Sequence, residues 1–387
     1  MSFFPKKLAD KIKFRSRQNS LRSLPEAQGS IDFSSNDYLG FARLQVLESK
    51  IKKILAASDY KTGATGSRLI SGNHSLYTLA ETEIAEFHEV ESALIFNSGY
   101  DANIGFFSSV PQKGDVILYD AYIHASIRDG IKMSNAEAWK FKHNDLDDLT
   151  KKIKLATKKF DIVYVVTEAV FSMDGDSPDI NKLVECCQAQ NCLLVVDEAH
   201  SLGVLGQAGE GLLKQHNLQN KVFASIVTYS KALGGHGAAI LGSGQLKQYL
   251  VNFARSLIYT TALPPHSVAG ILAGYQLLKE NQLPFQQLRK RIGYFKALVK
   301  ELGLEAIFLE SHSAVHSAII PGVNHVKEIA HELQTNGFNV KPILSPTVAE
   351  GSERLRFCLH SYNSEQEIAS VLNRLATFAI QMQLNNE

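Results

Sequence analysis

The sequence predicts an α/β fold with a mostly parallel central sheet and a smaller C-terminal α/β unit, and three observations predict it. Short β-branched runs, DIVYVV (161–166), LLVVD (193–197) and FASIVT (223–228), show no polar alternation, as strands buried on both faces require. Helix-patterned stretches such as DINKLVECCQAQN (179–191) separate them, so strand and helix alternate. After the LPP turn at 263–265, a helical run leads into a segment of shorter elements covering about a hundred residues.

Taken in order, the N-terminal MSFFPKKLADKIKFRSRQ is basic and amphipathic, and the expectation is a helix packed on the body. It lacks the uninterrupted apolar stretch of a secretory signal, and Asp10 counts against a transit peptide. LYTLAETEIAEFHEV from residue 76 places Leu76, Leu79, Ala80, Ile84 and Phe87 on one helical face, with Ser75 in position to cap it. The alternating strands and helices follow. In the last segment SAVHSAIIPG, a helix from about Val326, NVKPIL, RLRFCLH and a terminal helix make up the smaller unit, and Ser364 with Glu367 forms a capping-box pattern at the last helix. The division expected is an N-terminal segment over 1–45, a large domain over 46–270 and a small domain over 271–387.

Of the 387 residues 45% are hydrophobic and 20% charged, which suits a globular chain with substantial cores. Forty basic residues balance thirty-nine acidic ones, so there is no electrostatic footprint for nucleic acid or an anionic membrane. Small-molecule partners are expected, and no apolar run reaches the length of a membrane span. Cys186, Cys187, Cys192 and Cys358 lack paired CxxC spacing and are read as buried free thiols in a reducing cytoplasm. Neither they nor His312 and His316 of HSAVH supply a zinc set, so no metal is expected.

In an open parallel sheet ligands gather beyond the carboxyl ends of the strands. Here LLVV leads into Asp197, Glu198, Ala199 and His200; IVYVV leads into Thr167, Glu168 and FSMDGD; and SIV leads into Thr228 and Lys231. Each residue alone is ordinary: a turn aspartate, a satisfied histidine, a loop hydroxyl, a surface lysine. Together they supply what pyridoxal phosphate needs. Lys231, among small residues, can lose its proton and form an imine, Asp197 can keep the pyridine nitrogen protonated, and His200 can reach the ring hydroxyl. NSGYDAN (97–103) offers a small-residue turn before a helix, suited to the phosphate, and Thr228 adds a hydroxyl. His124 in YIHAS sits where its ring can stack on the cofactor, or where it caps the next helix. KTGATGSR (61–68) lacks the lysine and spacing of a nucleotide P-loop, and GGHGAAILG lacks a GxGxxG fingerprint.

SSNDYLGF, GSRLISGNH, NSGYDAN, YIHASI, TEAVFSMDGD, VVDEAHSLGVLG, TYSKALGG and ARSLIYTTALPP, in that order, resemble the α-oxoamine synthases from about Arg22 to the last helix. FSSNDYLGF, FARSLIYTTALPP and SPTVAEGSERLRF are most similar to the branch serving biotin biosynthesis, whereas ALGG after Lys231 is similar to the aminoketobutyrate ligases. The resemblance implies the pyridoxal phosphate-dependent transferase fold of type I, aspartate-aminotransferase-like, and a cytoplasmic homodimer with shared active sites. It implies that Lys231 carries the cofactor, Asp197 pairs with the pyridinium, His200 and Ser172 contact the phenolic oxygen, and His124 stacks on the ring. Gly99, Tyr100 and Thr228 would hold the phosphate, joined by Thr260 or the adjacent Thr261 from the partner subunit. Arg22, Asn36, Thr347 and Arg356 match substrate-contacting positions, Arg356 for the amino-acid carboxylate. The implied reaction condenses L-alanine with a pimeloyl thioester, on coenzyme A or a carrier protein, with loss of carbon dioxide. A glycine acetyltransferase, a synthase of longer-chain lipid bases and a fold that binds cofactor without turnover are the other expectations.

Overall fold

Seven segments pair into one sheet in the computed structural model, which describes residues 4–22, 24, 30–57 and 59–384. They are β1 (Ser92–Phe96), β2 (Val116–Asp120), β3 (Glu137–Phe141), β4 (Val163–Glu168), β5 (Leu193–Asp197), β6 (Ala224–Thr228) and β7 (Ala238–Gly242). Their spatial order is β1-β7-β6-β5-β4-β2-β3. The five strands from β6 to β3 are parallel, and β7 runs antiparallel to both β1 and β6. Every residue of β4 and β6 is buried, which is why their sequences show no alternation. Ile117, Val166 and Val195 pack on one face against Phe106 and Ile127, while Val116, Leu118, Val165 and Val196 pack on the other against Ile153, Leu183 and Val184. Helices thus cover both sides.

The smaller sheet has the order β9-β10-β8, all antiparallel, from β8 (Val315–Ile319), β9 (Lys341–Ile343) and β10 (Arg354–Cys358). Its helix starts at Val323, three residues before the expected Val326, because Gly322 at φ +97° ends the preceding turn there. The capping box forms as expected: Ser364 N donates to Glu367 Oε2 (2.7 Å), and Glu367 N donates to Ser364 Oγ (3.1 Å). The N-terminal segment belongs with this unit, since Ile31–Asp32 pairs with Phe338–Asn339 and Cys358 N donates to Phe33 O. The helix Pro265–Glu280 runs through residue 270 and buries Val268, Ile271, Leu272 and Tyr275 in the core that carries the large sheet, so the expected division falls inside it.

Two local expectations change. The helix Lys6–Arg17 forms but buries no residue; six of its twelve residues are Lys or Arg, and Phe4, Leu8, Ile12 and Phe14 stay exposed. Ser75 is the first residue of its helix rather than the cap, because His74 holds the cap position and the Ser75 hydroxyl instead meets Tyr60 OH at 2.8 Å. All four cysteines are free thiols, Cys186 partly exposed and the others buried. Among the described residues no helix is long and apolar enough to cross a membrane.

Candidate active site

The carboxyl ends of β2, β4, β5 and β6 carry Asp120, Glu168, Asp197 and Thr228 to one edge of the sheet. A cavity of about 210 Å³ lies there, lined by Gly99, Tyr100, Asn103, His124, Glu168, Asp197, His200, Thr228 and Lys231 among others. The sequence motifs that deliver these residues, from Gly99 to Lys231, are separated by up to 132 positions and meet only because the parallel strands end together.

Lys231 follows β6 and is partly exposed, its amine opening on the cavity. Burial lowers its pKa to about 8, against the opposing pull of Asp197 and Glu168. The glycines behind it shape the turn: Gly234 N donates to Lys231 O, Gly235 N donates to Tyr229 O, and Gly234 sits at φ +61°. A Cβ on Gly234 would lie 2.2 Å from Ala42 N, so the turn is seated directly on the N-terminal segment. Glycine here lets the backbone come close while the lysine faces the cavity.

Asp197 accepts from Asn103 Nδ2 (3.0 Å) and from Ala199 N (2.9 Å), and is 6% exposed. Asn103 also donates to Ser126 Oγ (3.0 Å), and its own Oδ1 is buried without a partner. Ser126 Oγ meets His124 Nδ1 at 2.7 Å, and Ser126 N donates to the same nitrogen. With Nδ1 accepting, the His124 proton is on Nε2, and the ring is exposed at the cavity. His124 also serves as the cap of Ala125–Met133, which is the second of its two expected roles.

His200 is buried, with Nδ1 2.7 Å from Tyr38 OH. Burial, with Lys231 and Arg356 nearby, keeps this imidazole well below its ordinary pKa and therefore neutral. Tyr38 OH also reaches Asn36 Oδ1 (3.1 Å), which accepts from Arg356 Nη2 (2.9 Å). Arg356, on β10, is buried and its Nε has no partner. Arg22 Nη2 and Thr347 Oγ1 meet at 3.4 Å on the exposed surface, so the four expected substrate residues form two pairs.

Where the phosphate is expected, Ser98 Oγ caps the helix Gly99–Ser109 by accepting from Asp101 N. Thr228 Oγ1 donates to Gly237 O (3.1 Å), and the exposed Tyr100 donates to Asp129 (2.5 Å). Thr260 Oγ1 accepts from Asn97 of its own chain (3.1 Å), and Asn97 also donates to Thr261 O (2.7 Å). Ser172 lies apart: it is partly exposed, in the turn after β4, and, like Thr260, Arg22, Asn36, Thr347 and Arg356, is not part of the cavity wall. That turn is anchored on the small unit, where Ser311 and Ser313 donate to Gly175 O, Ser317 donates to Met173 O, and Arg354 pairs with Asp174.

Beside the cavity, His143 is held between Asp120 (2.9 Å) and Asp176 (2.8 Å). Asp174, Asp176 and His143 converge closely enough to suggest a metal set, but Arg354 and the imidazole already serve those carboxylates. Burial opposes the His143 charge, yet the two carboxylates prevail and raise its pKa to about 10.

The family model for aminotransferases of class I and II matches residues 28–375. The chain belongs to that family. It is 36% identical to 8-amino-7-oxononanoate synthase of Emericella nidulans over 407 aligned positions, covering 98% of each protein. To the protein of that name from Lysinibacillus sphaericus it is 34% identical, covering 97% of this chain and 95% of the other. Among solved structures, 8-amino-7-oxononanoate synthase from Francisella tularensis is 30% identical with a TM-score of 0.77, covering 92% of this chain and 99% of that one. Sphingomonas wittichii serine palmitoyltransferase, 24% identical with a TM-score of 0.88 over 98% and 97% of the two chains, shares the fold. The fold is therefore that of the type I pyridoxal phosphate transferases, the chain is an α-oxoamine synthase-like enzyme, and its cofactor is pyridoxal phosphate. The residues present fit that group: one amine with a lowered pKa and a carboxylate fixed by two donors line the same cavity.

Asn103, Ser126 and Tyr38 are the contributors that motif reading leaves unassigned. Asn103 lies one helical turn beyond Gly99, which is the signal that could have marked it.

Proposed function

We propose that this enzyme condenses L-alanine with a pimeloyl thioester, on coenzyme A or a carrier protein, releasing the thiol and carbon dioxide and forming 8-amino-7-oxononanoate for biotin synthesis. The observation that carries the amino-acid half is Arg356: a buried guanidinium whose Nε has no partner offers a charge-assisted contact to a carboxylate. The names of the relatives support the acyl half.

When bound, pyridoxal phosphate supplies an electron sink for the amino acid's α-carbon. Lys231 would hold it and, with its pKa near 8, can take the α-proton and return it after carboxylate loss. Asp197, fixed by Asn103 and Ala199, keeps its charge aimed at the pyridine nitrogen. His200 and Ser172 serve the phenolic oxygen, the Ser172 hydroxyl reaching it only if its turn moves toward the cavity. His124 covers the ring, and its Nε2–H can donate to the acyl carbonyl oxygen. Gly99, Tyr100 and Thr228 receive the phosphate, Thr228 exchanging its contact with Gly237 for it. Asn36 orients Arg356 for the carboxylate. Arg22 and Thr347 form the outer pair that meets the acyl donor.

A homodimer in the cytoplasm, with Thr260 completing the partner's phosphate site, belongs to this proposal. Its support is the exposed apolar surface of Leu69, Ile70, Tyr122, Tyr259 and the N-terminal helix. A second reading, glycine C-acetyltransferase, is favoured by ALGG after Lys231. Thiol and carbon dioxide release from alanine plus pimeloyl-CoA, compared with glycine plus acetyl-CoA, separates the two. Faster turnover of the second pair rejects the biotin assignment.

A further inference from the structure

The cavity holds two carboxylates, and the reaction described above uses one. Glu168 ends β4 and Asp197 ends β5; they are paired in register on adjacent parallel strands, 3% and 6% exposed. Side chains at such positions project to the same face, from backbones about 4.8 Å apart. Asp197 has two donors. Glu168 has one, the backbone N–H of His124, at 2.5 Å.

The surrounding charges do not balance two anions. Lys231 faces both carboxylates, His124 adjoins, and Asp120 adds a third carboxylate from β2 whose charge is taken up by His143. One lysine therefore answers Asp197 and Glu168 together. A buried carboxylate with a single hydrogen bond, beside another carboxylate, is far more costly than the neutral acid. Hydrogen bonds donated to a carboxylate favour its charged form, so the member of the pair with fewer donors is the one to carry the proton. Burial, and Asp197 beside it, push Glu168 well above the usual carboxylate range, in agreement with that count.

We propose that Glu168 is a positioning residue acting as the neutral acid: its carbonyl oxygen holds the His124 backbone over the cavity, and its lack of charge leaves Asp197 the sole anion facing the cofactor nitrogen. This rests on the roles proposed above for His124 and Asp197. A charged Glu168 would compete with Asp197 for the pyridinium and pull the Lys231 amine back toward its protonated form. A neutral one does neither, and still anchors the residue that covers the ring.

Infrared spectroscopy of cofactor-free protein carrying ¹³C-carboxyl glutamate tests the protonation directly. The expected result is an isotope-shifted carboxylic-acid carbonyl band at neutral pH that Glu168→Gln abolishes; a wild-type spectrum without it overturns the proposal. Glu168→Gln keeps both the acceptor and the neutrality, so its affinity for pyridoxal phosphate and the pH profile of its kcat should stay within about threefold of wild type. Glu168→Ala leaves the His124 N–H without an acceptor, and kcat should fall roughly tenfold or more. If Glu168→Gln, folded by its melting temperature, loses as much as Glu168→Ala, a negative charge is required and the proposal falls. Failure of the wild type to use alanine would instead count against the proposed function, while the cofactor-free carbonyl band would still decide the state of Glu168.

Discussion

Replacing His143 with Leu tests whether one charged imidazole holds together the loops that bear the site. Its Nδ1 lies 2.9 Å from Asp120, which is fully buried, and its Nε2 lies 2.8 Å from Asp176. Its ring stacks on Tyr122 at 4.2 Å and meets Phe171 edge-on at 4.4 Å. Tyr122 is two residues from His124, and Phe171 is next to Ser172, so both loops lean on this ring. Leucine keeps some of the packing and removes the cation, leaving the Asp120 carboxylate buried beside Asp176 with only backbone donors. Breaking such a pair costs about 3–5 kcal/mol, a large part of a total stability of about 5–15 kcal/mol. Urea denaturation of the two proteins at neutral pH measures the loss. The pH dependence gives an independent check. Because the folded pKa is raised from 6.5 to about 10, the stabilisation is complete below about 6.5, declines as pH rises above that, and is gone once pH passes about 10. The gap between wild type and His143→Leu should narrow over that window. A loss below about 1 kcal/mol at neutral pH, or a gap that stays constant into alkaline solution, refutes the reasoning, because the ring would then act only by packing.

Three further outcomes follow from the geometry. Lys231→Ala should lose the visible absorption of the lysine-bound cofactor and its borohydride-fixed mass adduct; an unchanged spectrum rejects Lys231 as the anchor. Arg356→Lys keeps the charge but loses the planar fork, and kcat/KM for the amino acid should fall about 30-fold, equivalent to about 2 kcal/mol, in steady-state kinetics. Equal kcat/KM would place the carboxylate elsewhere. Gly234→Ala puts a methyl 2.2 Å from Ala42 N at a left-handed φ, so thermal melting should show a drop of about 4 °C, from a loss of about 3 kcal/mol; a melting temperature within a degree of wild type would show that the seat on Ala42 is soft.

Residues directly after an apolar run can be located from one dimension, because a parallel sheet sends every strand end to the same edge. That is how Asp197, His200, Thr228 and Lys231 come together from sequence. Asn103 and Ser126 lie inside or at the start of helices, and their importance depends on which way those helices face after packing. Tyr38 is inside a motif that stands out as a string, yet its contact with His200 spans 162 positions and has no local signature. The helix Lys6–Arg17 shows the opposite case: amphipathic spacing gives the helix but not the surface it covers, and among the described residues none buries it. Ser75 has the right chemistry for a cap, but the chain enters the helix one residue earlier, and the hydroxyl turns to Tyr60. The His143 cluster escapes sequence reading because His143 follows EAWKF, a mostly exposed edge strand with no apolar run to mark its end.

The hydroxyls of Ser311, Ser313 and Ser317 reach back 136 to 144 positions to hold the carbonyls of Met173 and Gly175. Cutting the gene before residue 311 would leave the seven-stranded layer able to pair but would remove every one of these fasteners from the segment that presents Ser172. Residues 1–310 alone would therefore lack the contacts that hold the turn bearing Ser172. The late-synthesised end of the polypeptide finishes the earlier one, so newly made chains should stay inactive until the segment from residue 311 onward has emerged and docked.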